Sequence, residues 1–369
     1  MSYWYCLICL ALLTSCGAGN AKKKEYKEVA VETNKKEVRY VNSLRLLSPE
    51  KNGLYSFGDE LVVEFESKNR FVVDSSAVYV DGHEVVRLGA GVTRFSLPIG
   101  DNKTGLIMVK VIAWHPDNKA GVIASTIRVK PAESPIRCRY SVVKVFPHDV
   151  EAYTQGLVYQ DGFMYEGTGL YGESSIRKVD MQSGKIHSVL SIDKQYFGEG
   201  ITIFEGKIYQ ITWRSRKGFV YDLKTFSLES SFEYGSEGWG ITTMEDHLVM
   251  SDGTNRLYHV APSTFNVLKE VEVYDNVGPV EQLNELEYID GLIWANVWLT
   301  DRIVAIDPES GVVKYDMNLS DLLTVAEKRE LDDKDDVLNG IAWNPTSKTF
   351  YLTGKRWPKL FEVKVEIPK

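Results

Sequence analysis

Five stretches of this chain can be laid over one another. They are LVYQDGFMYEGTG from Leu157, ITIFEGKIYQITW from Ile201, ITTMEDHLVMSDG from Ile241, LEYIDGLIWANVW from Leu286 and IAWNPTSKTFYLTGK from Ile341. Each reads as an alternating strand, a turn of Asp, Gly or Asn type, and a second strand. A third run follows in every case: SIRKVD, GFVYDL, RLYHVA, RIVAID and KLFEVK. The starts lie 44, 40, 45 and 55 residues apart. A period near 40–45 with several strands per unit predicts a β-propeller, each repeat a blade whose faces are covered by its neighbours. Five repeats predict five blades. RYSVVKVFP (Arg139 to Pro147) precedes the first repeat without a blade of its own, and is expected to close the ring as the outer strand of the last. The long last interval holds LSDLLTVAEKREL, where Ser320 is expected to cap a short helix.

In a propeller the first strand of each blade lines the central channel, and its opening residues crowd one mouth. Two positions before the aligned starts stand Gln155, Glu199, Trp239, Asn284 and Asn339. None is an aliphatic filler, and glycines beside them allow close backbone approach. Polar residues at such an axis can also do no more than hold channel water. Glu199 is the one carboxylate in this ring, and Trp213, Trp239, Trp298 and Trp357 are expected at strand ends around it. A carboxyl group in an aromatic pocket has a raised pKa, as a general acid/base needs. Lys355 in TGKRWP ends a second strand at the same mouth.

Ahead of the repeats, ELVVEFES, SAVYVDGHEVV, TRFSLP and GLIMVKVIAW alternate with turn residues between them. About seven strands in this region predict an immunoglobulin-like β-sandwich over residues 40–130. Asp81-Gly82 suits a tight hairpin turn. Residues 131–138, with PAESP, read as a linker, and 139–369 as the propeller. The fold class expected is all-β, a five-bladed propeller preceded by the sandwich.

The apolar run from Tyr3 to Leu13 is too short for a stable membrane span and reads as the core of a signal peptide, although no Lys or Arg precedes it. LTSC ending at Cys16 resembles a bacterial lipobox, so residues 1–16 are assigned to the signal and Cys16 to lipidation. Residues 17–39 are charged and weakly apolar, a tether to a membrane surface. The expected location is that of an exported bacterial lipoprotein, periplasmic or anchored to the outer membrane. With Cys6 and Cys9 lost and Cys16 lipidated, only Cys138 is left, so neither a disulfide nor a CxxC site is expected.

YTQGLVY, GTGLYGESSIRKVD, YFGEGIT, GWGI, SDGT, LNELEYIDGLIWANVW, DVLNGIAW and TGKRWPKLFEV occur in unbroken order between Arg139 and Val365. In these motifs the chain resembles the plant and bacterial type of glutaminyl-peptide cyclotransferase; the sandwich is not part of the resemblance. The resemblance implies a five-bladed propeller that converts amino-terminal Gln of peptides or proteins to pyroglutamate and releases ammonia. It implies Glu199 as acid/base and substrate contacts from Gln155, Phe197, Trp213, Trp239, Asn284, Trp298 and Lys355. Tyr153 and Gly167 stand where plant members have Phe and often Ser. Glu199, Lys355 and Asn284 are thus the candidate catalytic residues. Tyr153, Gln155, Phe197, Trp213, Trp239 and Trp298 are the candidate substrate-binding residues. No cofactor or metal is implied.

Other signals point elsewhere only weakly. GTGLYG matches G-x-G-x-x-G but is followed by a strand pattern where a dinucleotide site needs a helix. The six histidines are scattered, and a net charge of −8 argues against nucleic acid. LDDKDDV (Leu331 to Val337) reads as a solvated loop. A sugar hydrolase or lyase would want paired carboxylates. Glu285 and Glu287 are near, but strand alternation sets them on a face opposite Asn284, inside the blade or tilted from the axis. A non-catalytic surface lipoprotein that binds peptide ends, with the sandwich docked to an unknown partner, is the alternative from another class.

Overall fold

The computed structural model describes residues 43–117, 119–331 and 334–368. The chain divides into Met1–Arg39 and Tyr40–Lys369, and all described residues belong to the second unit. The signal, Cys16 and the tether therefore lie outside the described residues. What is described is nearly all β-structure.

Residues 44–130 form two sheets. One has the order Leu44–Ser48, Glu60–Ser67, Arg94–Pro98; the other has Gly53–Ser56, Ala120–Lys130, Gly105–Trp114, Ser75–Val80, His83–Leu88. The alternation in ELVVEFES decides which side faces in: Leu61, Val63 and Phe65 are buried and the residues between them are not. They share a core with Val109, Val111 and Ala113 of one facing strand and Ile127 and Val129 of another. Each such side chain contributes roughly 1.5–3 kcal/mol by leaving water. Asp81 (φ 50°) and Gly82 (φ 88°) make the tight turn between Ser75–Val80 and His83–Leu88. Both need the left-handed region, which Asp tolerates and Gly favours.

The repeats form five four-stranded antiparallel units, and in the first four the strands are laid out first to fourth in chain order. Their first strands are Thr154–Gln160, Gly198–Phe204, Ile241–Met244, Leu283–Ile289 and Leu338–Asn344. These are largely buried, whereas fourth strands such as Leu228–Glu233 are mostly exposed. Each first strand lies beside that of the next unit, and the fifth lies beside the first, so the circuit is closed. The approach is tight: a Cβ on Gly156 would sit 2.4 Å from Ile201 N, and one on Gly240 2.0 Å from Asn284 O. No residue other than glycine fits at such backbone contacts.

The fifth unit takes its fourth strand from ahead of the repeats. Ile136–Pro147 pairs antiparallel with Lys359–Glu366, from Pro147 opposite Lys359 to Arg139 opposite Glu366. The strand begins inside the stretch read as linker. Its first residues, Ile136 to Cys138, pair in parallel with Tyr315 to Met317 of the fourth unit. Ring closure and inter-unit pairing thus use one strand, and the connecting segment is shorter than 131–138.

Two local expectations are corrected. The inserted helix is Val325–Arg329, and its cap is Thr324, not Ser320. Thr324 and Glu327 make a reciprocal capping box, which satisfies two helix-end N–H groups at once. Glu285 and Glu287 do not point inside their unit. A register shift between Leu283 and Leu286 breaks the alternation. Glu285 reaches across the axis to accept from Leu157 N at 3.3 Å and Ile341 N at 2.8 Å, in the first and fifth units. Glu287 accepts from Trp343 N at 3.0 Å and from Thr242 Oγ1 at 3.4 Å.

Candidate active site

Within each unit the first two strands are antiparallel, so the start of the first and the end of the second meet at the same mouth of the ring. Tyr153, Gln155, Phe197, Glu199, Trp239 and Asn284 come from first-strand starts. Trp213, Trp298 and Lys355 come from second-strand ends. All nine line one cavity of about 300 Å3. Backbone bonds fix the second-strand residues there: Trp213 N donates to Phe197 O at 3.1 Å, Trp298 N to Gln282 O at 2.9 Å, and Lys355 N to Val337 O at 2.9 Å.

The walls are aromatic. Phe197 meets Trp213 edge-on at 5.5 Å between centroids and Tyr153 at 6.2 Å; Trp239 meets Trp298 at 5.3 Å with rings at 89°. The lysine Nζ lies 4.8 Å from the Tyr153 ring centroid and 5.9 Å from that of Trp298, a cation held against two π-faces.

Glu199 is 5% exposed. Its carboxyl group makes no hydrogen bond among the described residues. Burial raises its pKa well above the ordinary carboxylate value; the Lys355 charge works against that rise and the Glu237 charge adds to it. Burial lowers the Lys355 pKa, with the Glu199 charge opposing. On the residues that line the cavity, two buried atoms have no hydrogen-bond partner among the described residues: Asn284 Oδ1, an acceptor, and Trp298 Nε1, a donor. Buried polar groups are normally paired, so these two cavity-lining residues depart from the usual pattern.

Other expected members of the ring stand elsewhere. Asn339 is fully buried beneath the cavity, and its Nδ2 donates to Thr154 O at 2.9 Å and to Gln155 Oε1 at 3.1 Å. Trp357 is not a wall. Arg356 takes a positive φ of 56°, and Trp357 folds back into the core, its Nε1 donating to Asp336 O at 3.0 Å. The acidic loop is not merely solvated: Asp336 is buried and Asp335 lines the cavity, as does Leu170. Glu237 is a further missed residue. It accepts from the indole N–H of Trp213 at 2.7 Å and from that of Trp239 at 3.2 Å. Its place two residues before Trp239 is visible in the sequence; its meeting with Trp213 is not.

Among the described residues, no group of three His, Cys, Asp or Glu side chains is placed to hold a metal ion. Comparison with known proteins is consistent over the repeat region. The sequence model of the glutamine cyclotransferase family matches residues 118–365. A glutaminyl-peptide cyclotransferase of Arabidopsis thaliana is 42% identical over 230 residues, which is 61% of this chain and 71% of that protein. The crystal structure of Myxococcus xanthus glutaminyl cyclase is similar at 32% identity. It aligns with a TM-score of 0.60 over 64% of this chain and all of that one.

Proposed function

Since the chain belongs to the glutamine cyclotransferase family, we propose that it is a glutaminyl-peptide cyclotransferase, closing amino-terminal Gln of peptides or proteins to pyroglutamate in the cavity around Glu199. The α-amine nitrogen attacks the carbon of the side-chain amide, a new C–N bond forms, and the old one breaks to release ammonia. Because the step is intramolecular, holding the side chain curled supplies much of the rate. The aromatic walls from Trp213, Trp239, Trp298, Phe197 and Tyr153 serve that end and exclude water. Glu199 takes a proton from the attacking amine and delivers one to the leaving nitrogen. Its burial supports this role, since a raised pKa brings a carboxyl group nearer to neutral working pH. Lys355 and the Asn284 amide stabilise the oxyanion of the tetrahedral intermediate, and Gln155, oriented by Asn339, contacts the substrate.

The observation that carries this reading is a buried carboxyl group, without a hydrogen bond among the described residues, on the lining of an aromatic cavity. The test is ammonia release from a Gln-initiated dipeptide, with mass spectrometry of the product. Glu199→Gln should slow it roughly 10²–10⁴-fold. Equal rates would remove Glu199 from the centre of the mechanism. No product from well-folded wild type over several Gln-peptides would favour a peptide-binding module.

We further propose that the five units are blades of a β-propeller, which the closed circuit of first strands supports. The two sheets sharing one core support an immunoglobulin-like sandwich for residues 40–130. Residues 1–16 would direct export and lipidation of Cys16, and 17–39 would tether the enzyme to a periplasmic or outer-membrane surface. Metabolic labelling with a fatty acid tests this: label lost from Cys16→Ser supports the anchor, and label kept removes it.

A further inference from the structure

Glu237 lies in the loop between Leu228–Glu233 of the second unit and Ile241–Met244 of the third. One of its oxygens, Oε2, receives both indole N–H groups, from Trp213 at 2.7 Å and Trp239 at 3.2 Å. Its other oxygen lies 3.4 Å from Arg214 Nε. The Arg214 guanidinium in turn stacks 3.9 Å above the Trp213 ring. The two indoles come from different units, and among the described residues no other hydrogen bond holds either ring. Each leans on a further wall, Trp213 on Phe197 and Trp239 on Trp298. The spacing of four aromatic rings therefore depends on one carboxylate at the rim.

We infer that Glu237 is a positioning residue for the cyclisation, a clamp whose single carboxylate sets the separation and tilt of the two indoles that wall the cavity. This rests on the cyclotransferase reading. The reacting amine and amide must be brought to near-contact geometry, and a misplacement of about 1 Å can cost about 10²-fold in rate. Hydrogen bonds to a charged acceptor are stronger than neutral ones, which suits a clamp that stays partly open to water. Glu237 also bears on Glu199 by charge. Glu199 faces Lys355, which favours its ionised form, and Glu237, which disfavours it. The phenols of Tyr153 and Tyr234 also face Glu199.

The experiment measures kcat, KM and the pH profile for cyclisation of a Gln-dipeptide by wild type, Glu237→Ala and Glu237→Gln, with thermal unfolding of each. Alanine removes the acceptor, so kcat should fall about 10²-fold while the unfolding temperature stays near that of wild type. Glutamine keeps an oxygen for the indoles but not the charge. It should retain most of kcat, a rescue that a merely structural role would not produce, and the loss of charge should move the Glu199 limb of the profile to lower pH. Wild-type kcat, KM and limb position in the alanine variant would overturn the clamp. So would a folded glutamine variant whose kcat falls about 10²-fold, which decides the matter if the alanine variant fails to fold. Absence of ammonia release by wild type would instead sink the cyclotransferase reading. Quenching of tryptophan emission by the same dipeptide would then decide the clamp: weaker binding by the alanine variant supports it, and equal binding removes it.

Discussion

Asn339, in the first strand of the fifth unit, donates from Nδ2 to Gln155 Oε1 at 3.1 Å, across the seam where the fifth unit meets the first. The same nitrogen donates to Thr154 O at 2.9 Å. The side chain that faces the cavity is thus oriented by one that does not. Asn339→Ala should leave Gln155 free to rotate and remove a donor from the buried Thr154 carbonyl. We expect a stability loss of about 1–3 kcal/mol and a lower kcat/KM, with KM raised. Denaturant titration and steady-state kinetics on a Gln-peptide check both; unchanged KM would show that the Gln155 orientation does not matter.

Lys355→Met removes the charge that favours ionised Glu199. The Glu199 pKa should then rise further, and its limb in the pH profile of kcat/KM should move to higher pH. Loss of an oxyanion-stabilising group should lower kcat about 10²–10³-fold. A limb that stays put, or moves down, contradicts the electrostatic account.

His148 and Glu166 form a buried ion pair at 3.0 Å, with Thr154 Oγ1 also donating to the carboxylate at 2.7 Å. Burial alone would lower the His148 pKa, but the Glu166 charge and hydrogen bonds outweigh it and the net direction is upward. The Glu166 pKa is lowered: burial opposes the shift and His148 drives it. A raised histidine contributes stability that is complete below its unfolded value and lost as pH rises through the folded one. A lowered carboxylate contributes stability present above its unfolded value and lost as pH falls through the folded one. The pair should therefore stabilise most between the ordinary values of 4.5 and 6.5. Glu166→Gln should cost about 3–5 kcal/mol there, read by denaturant titration across pH, and a flat difference would refute the pairing.

Glu287 behaves oppositely. Burial pushes its pKa from 4.5 to about 8, while hydrogen bonds from Trp343 and Thr242 pull it down. The folded state then holds a proton that the unfolded chain releases, so stability falls as pH rises from 4.5 to about 8. Glu287→Gln should flatten that decline. Melting temperatures at several pH values in this window test it, and an equal slope in both proteins would argue against it.

The repeats were readable because each hairpin carries its own alternation and turn residues, signals that need no partner. The mouth followed from register alone: counting two residues back from each start found Gln155, Glu199, Trp239 and Asn284, all of which line the cavity. Asn339 obeys the same count yet lies one layer beneath. Trp357 misled because a positive φ at Arg356 reverses the chain, a choice that an arginine does not advertise. Glu285 misled because a register shift cancels strict alternation. The helix cap was legible: Thr324 is followed three residues later by Glu327, whereas Ser320 is followed by Leu323. Glu237 was not legible, since its value depends on Trp213, which another loop delivers.

The strand Ile136–Pro147 also imposes an order in time. It is synthesised before any repeat, yet its main partner, Lys359–Glu366, comes after them all. Until that partner appears, the early strand presents an unpaired edge along most of its length, and such edges invite association with other chains. The cavity is subject to the same delay, because Tyr153 and Lys355 stand against each other only once the first and last units have met. A growing or truncated chain would hold several finished units and still lack a binding site, so activity reports on completion of the whole circuit.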